Sequence, residues 1–155
     1  MAKGDLIRQF LDEEQLARIG RKVGECEKAT SGEIRVVIRE KKDWVARLLR
    51  LSLRRLVVEE FYRLRMHKTR ERTGVILYFL LEDRQFYIYG DKGIHAAVGQ
   101  ETWDRVAGEV AAAAREQNLC EGVLLGLGQI GAILAERFPI RPDDVDELPN
   151  EVELR

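Results

Sequence analysis

The residues best suited to chemistry in this 155-residue chain are carboxylates grouped at two places. Glu82 and Asp83 are adjacent in a polar break between the apolar run 75–81 and the aromatic-rich run 85–90. Asp91 follows in Gly90-Asp91-Lys92-Gly93, and Glu33 opens an earlier β-branched run. Clusters that offer only oxygen suit the hard cations Ca2+ and Mg2+, which take carboxylate, carbonyl and water ligands. Runs 75–81 and 85–90 are too close in sequence for anything but a hairpin, which puts Gly90-Asp91 beside Thr73-Gly74, at the end remote from Glu82-Asp83. A parallel pairing of 33–39 with 75–81 brings Thr30, Ser31 and Glu33 to the Asp91 end. Two acidic sites at opposite edges of a sheet follow. One is Glu82 and Asp83 with Glu40 or Asp43 nearby. The other is Asp91 with Glu33 and the hydroxyls of Thr30, Ser31 and Thr73. The first lies at the carboxyl ends of the parallel strands, where open α/β sheets usually bind ligands. The plain alternative is that Asp83 and Asp91 are ordinary turn residues.

Other motifs carry less. His67 and His95 are the only histidines, and neither has a second histidine or a cysteine at metal-ligand spacing. Ser31 and Ser52 are the only serines, and neither stands in a nucleophile elbow. Gly126, Gly128 and Gly131 match GxGxxG, but a dinucleotide loop follows a strand and opens a helix. Here the glycines fall inside a helical pattern that continues to Arg137, so close helix packing explains them better. Cys26 and Cys120 lack a CxxC partner and read as small core residues.

The elements that must hold these residues follow from periodicity. Residues 12–29 have Asp12 and Gln15 at capping-box spacing, with Leu16, Ile19, Val23 and Cys26 on one face. Residues 33–40 form a strand. Residues 44–65 form a helix with Val45, Leu48, Leu49, Leu56 and Phe61 available for an inner face. Two further helices follow the hairpin, faced by Trp103, Val106, Val110 and Ala114, and by Val123, Leu124, Leu127, Ile130 and Leu134, with Asn118 at their junction. Strand 75–81 is apolar on both faces, as a covered central strand should be. The fold class is α/β, a three-layer α/β/α sandwich around a small mixed sheet. The expected domain spans residues 1–138, and residues 139–155 are expected to form a loosely packed acidic tail.

Apolar content of 45% and charged content of 34% suit a globular domain with a highly charged surface. Net charge of −1 offers no global case for nucleic acid. Charge is uneven, however: residues 41–72 hold eleven Lys and Arg against four acids. Within them the 44–65 helix carries Arg47, Arg50, Arg54, Arg55, Arg63 and Arg65, with Trp44 near its start. Such a helix can meet an acidic protein or an anionic membrane surface, though a solvated outer face is the commoner case. The first residues lack the apolar region of a secretory leader. No apolar run approaches a membrane span, and a cytoplasmic location is expected.

The ordered set of segments resembles a known family. Thr30-Ser31-Gly32-Glu33-Ile34-Arg35-Val36, the stretch from Met66 to Gly74, Glu82-Asp83-Arg84 and Gly90-Asp91-Lys92-Gly93-Ile94 occur in the order and spacing of the TPM domain family. Its small soluble bacterial branch is also similar in Phe138-Pro139 and the acidic ending, so that residues 8–150 are covered. The resemblance implies an α/β/α sandwich, Ca2+ or Mg2+ as ligand, and for some members acid phosphatase activity. By position, Asp83 and Asp91 match the motif acids, and Gly74 and Gly93 the turn glycines. Glu82 stands where many members have a second aspartate, and an acidic ending is expected here where many members have a longer, membrane-anchored C-terminus. A divalent-cation module is therefore the leading expectation. A metal-dependent phosphomonoesterase and a non-catalytic interaction module using residues 44–65 are the alternatives.

Overall fold

The computed structural model describes residues 4–142 and 152–155. A mixed sheet is covered by helices on both faces. Strands β1 (Glu33–Arg39), β2 (Gly74–Leu80), β3 (Gln85–Gly90) and β4 (Glu153–Leu154) lie in the order β3-β2-β1-β4. β1 runs parallel to β2 and to β4, and β2 and β3 form the expected antiparallel hairpin. β2 sits between β1 and β3, and every one of its residues is buried.

The pleat sorts β1 and β2 by face. Ile34, Val36, Ile38, Val75, Leu77 and Phe79 enter the larger core, beneath α2 (Glu13–Glu27), α6 (Gln100–Glu116) and α7 (Leu119–Arg137). Val37, Ile76, Tyr78 and Leu80 enter a smaller core with Val57 and Phe61 of α4 (Leu53–Arg63). α1 (Asp5–Phe10) buries Ile7. The Asp12–Gln15 capping box is formed as its spacing predicts. Asn118 caps α7 by accepting the Glu121 N–H at 2.9 Å. Cys26 and Cys120 are free thiols.

Four expectations change. The single helix over 44–65 is two helices, α3 (Trp44–Leu48) and α4, separated where Arg50 adopts φ 51°. Ser52 restarts the chain by accepting the Arg55 N–H at 3.2 Å. Because of this break, Val45, Leu48 and Leu49 face outward, while Leu56 and Phe61 point into the core as expected. Gly90-Asp91-Lys92-Gly93 does more than end β3, since it opens a short helix α5 (Lys92–Val98). Residues 143–151 of the expected acidic tail lie outside the described residues, but the stretch that follows is structured: Glu153–Leu154 adds the edge strand β4. Finally, α7 is long and apolar enough to cross a membrane by length and composition. In this fold it is the central helix of the larger core, with Leu119, Val123, Leu127, Ile130 and Leu134 buried.

The glycines of the GxGxxG match lie inside α7, where a dinucleotide loop cannot form. A Cβ on Gly126 would stand 2.6 Å from Val110 Cγ2, and one on Gly131 would stand 2.7 Å from Cys26 Sγ. They let α7 approach α6 and α2 closely.

Candidate functional site

The strand register places the candidate acids at opposite ends of the sheet, as the hairpin argument requires. Glu33 pairs with Gly74, and Val75 with Gly90, so Glu33 and Asp91 share the amino end of β1 and β2. Glu82 and Asp83 lie past the carboxyl end of β2. The Leu81 and Glu82 N–H groups donate to the Arg39 and Glu40 carbonyls at 2.9 Å each, pinning the turn to the end of β1.

At the amino end Asp91 is fully buried. Both of its oxygens are held by the Arg72 fork, at 2.6 and 2.8 Å, and Oδ1 also accepts the Lys92 N–H at 2.8 Å. Arg72 itself has φ 56°, and its carbonyl accepts the Gly93 N–H at 2.9 Å. The carboxylate thus locks the 69–73 loop onto the start of α5, and it pushes the Arg72 pKa above its ordinary value. A Cβ at Gly93 would stand 2.4 Å from the Glu71 carbonyl oxygen, so this contact requires glycine. The Thr30 hydroxyl donates to the Leu134 carbonyl at 3.1 Å, and Ser31 Oγ to the Phe138 carbonyl at 3.4 Å. Thr73 and Glu33 are buried. An ion at this end would have to displace a guanidinium from a sealed carboxylate.

The carboxyl end is open. The Glu82 and Asp83 side chains retain 48% and 24% exposure. Arg47 of α3 donates a short hydrogen bond to Glu82 and lies 3.7 Å from Asp83 Oδ1, while Lys42 Nζ lies 3.7 Å from Asp83 Oδ2. The two acids expected as neighbours serve elsewhere. Asp43 caps α3 through the Ala46 N–H at 2.7 Å and pairs with Arg39 at 3.5 Å. Glu40 accepts the backbone N–H groups of Gly4, Leu6 and Ile7 at 2.7, 2.7 and 3.1 Å, anchoring the start of α1. The Gly4 hydrogen bond leads the causes that hold the Glu40 carboxyl below the ordinary value. Among the described residues no group of three or more His, Cys, Asp or Glu is placed to hold a metal ion.

The residues that decide the chemistry of both ends, Arg72 and Arg47, carry no signal in the sequence as partners. They stand 19 and 35 residues from the acids they neutralise. The cleft lined by Ile7, Leu11, Leu16 and Leu154, about 480 Å3 with Glu40 in its wall, lies between α1, α2 and β4, and neither acid pair opens into it.

Residues 7–133 match the family model described as the TPM domain. The solution structure of the BA42 protein from the psychrophilic bacterium Bizionia argentinensis is similar at 33% identity, covering 94% of this chain and 96% of that one, with a TM-score of 0.83. The N-terminal domain of a P. gingivalis protein shares the fold at 14% identity, over 83% of this chain and 79% of that one, with a TM-score of 0.67. Comparison with curated proteins returns no match.

Proposed function

The chain belongs to the TPM domain family, and from that premise we propose that it binds a divalent cation, Mg2+ or Ca2+, at the Glu82-Asp83 turn. The difference in access carries the choice of end: these two acids reach solvent where the parallel strands stop, whereas Asp91 is sealed by Arg72. The fit is partial. Two adjacent carboxylates suit a cation that keeps most of its water, as Mg2+ usually does, better than a Ca2+ cage of six to eight oxygens. Arg47 and Lys42 already neutralise the pair, so the ion must compete with them and binds weakly.

The alternative of a metal-dependent phosphomonoesterase would use the same ion to polarise a phosphoryl oxygen. Binding is the better supported reading, because Glu82 and Asp83 are both engaged by cations and neither stands free as nucleophile or acid. Amide NMR during Mg2+ and Ca2+ titration tests the proposal. Shifts at residues 81–84 and in α3, abolished by Asp83→Asn, are expected. Shifts confined to residues 90–93, or none at millimolar metal, would overturn it.

A further inference from the structure

We propose that α3 is an anchor for an anionic lipid surface, in which Trp44, Leu48 and Leu49 enter the interface while Lys41, Arg50 and Arg54 meet the headgroups. The proposal is independent of the cation site. It rests on the outward turn of residues that the helical pattern assigns to the core. Trp44 is 74% exposed, Leu48 71%, Leu49 62% and Val45 41%. Of the nine large apolar residues exposed in the described chain, these four lie within six consecutive positions. At 3.6 residues per turn they occupy an arc of about 140° on α3. Ala46 is the one buried residue of the helix, on the roughly opposite side.

This orientation is built in. The Leu49 N–H donates to the Val45 carbonyl at 2.9 Å and the Leu51 N–H to the Ala46 carbonyl at 3.0 Å, across the left-handed Arg50. Lys42 Nζ donates to the Leu51 carbonyl at 3.4 Å. The apolar face therefore cannot roll inward without unmaking the turn.

Charge selects the partner. Residues 41–55 hold six Lys and Arg against Asp43 alone. Asp43 caps α3, Glu82 and Asp83 hold Arg47 and Lys42, and Glu59 holds Arg55. Among the described residues Lys41, Arg50 and Arg54 make no salt bridge to a carboxylate, although Lys41 lies in the field of its neighbour Glu40. An anionic occupant follows. A lipid surface fits better than an acidic protein because the apolar side chains project as the most exposed large residues of the patch and the cations flank them. That is the arrangement of an interfacial helix, with tryptophan at the headgroup boundary. Protein hot spots instead sit in pockets ringed by other contacts, and lysine is depleted there. One apolar insertion or one basic patch alone holds a protein only marginally, and the two together give stable attachment.

The experiment adds vesicles of equal parts phosphatidylcholine and phosphatidylglycerol to the intact protein at low salt, and follows tryptophan emission and co-sedimentation. Trp103, the only other tryptophan, is fully buried, so a blue shift reports Trp44. Expected are a blue shift, co-sedimentation that weakens with salt, and little binding to pure phosphatidylcholine. Leu48→Ser and Leu49→Ser should each weaken binding roughly tenfold. The K41A/R50N double variant, with asparagine tolerated at the left-handed position, should weaken it severalfold and reduce the salt dependence. All these positions are exposed, so unchanged far-UV circular dichroism separates lost binding from lost fold. No blue shift with anionic vesicles, or binding unaffected by the serine variants, overturns the proposal. Binding to polyglutamate without binding to vesicles also overturns it, and assigns the face to an acidic protein.

Discussion

Glu40 shows what a single residue contributes and why its role escapes the sequence. It was expected as a neighbour of Glu82 and Asp83, yet its carboxylate receives three backbone N–H groups at the start of α1. Its folded pKa lies below the ordinary value, so the native state holds the ionised form more tightly than the unfolded chain does. That stabilisation is present above the unfolded pKa and is lost as pH falls through the depressed folded value. Glu40→Gln should remove this acid-side dependence, and Glu40→Ala should cost about 1 kcal/mol, read from urea melts at neutral and acidic pH. Arg47 makes the complementary case at the turn. Arg47→Ala removes the cation that competes for Glu82 and Asp83, so Mg2+ affinity should rise, with a lower Kd in the NMR titration. The acids themselves were legible as candidates from residue type and turn position. Their partners were not, because Arg72 and Arg47 arrive from other loops and elements.

Elements were legible where local signals and packing agree. The Asp12–Gln15 capping box, the two apolar runs of the hairpin and the Asn118 junction between α6 and α7 all stand as read. The 44–65 segment did not, because its apolar spacing continues across a break that only Ser52 marks. Ser52→Ala should remove the α4 cap and cost about 1 kcal/mol, with added exchange of the amides of Leu53–Arg55. The glycines of α7 give the opposite lesson: a motif that suggests a nucleotide loop is a packing device. Gly126→Ala must move the β-branched Val110, and Gly131→Ala must move Cys26. Each is expected to cost about 1–3 kcal/mol and to lower Tm without altering the proposed metal or lipid binding.

For the whole molecule, the sandwich and its mixed sheet were legible, and the fourth strand was not. β4 is two residues long, and it follows the acid-rich stretch 143–151. Its place is set by backbone pairing with β1 and by long-range ion pairs: Glu153 meets Arg35 at 3.3 Å and Arg63 at 3.2 Å, and Arg155 meets Glu60 at 2.5 Å. Glu60 is buried in α4, so ending the chain after Val152 would leave it with Arg63 alone. That truncation should cost about 2–3 kcal/mol, measured as a fall in the denaturation midpoint.

One residue also joins the two ends of the described chain. The Glu40 carboxylate holds Gly4, while the Glu40 N–H donates to the Arg155 carbonyl at 2.7 Å. The ends are therefore neighbours across a single residue, the situation in which circular permutation is tolerated. A short glycine-rich bridge from Arg155 to Gly4, with new termini opened at the exposed Gln117 between α6 and α7, should return the native amide spectrum. In that rewired chain α7 would be synthesised first and α6 last.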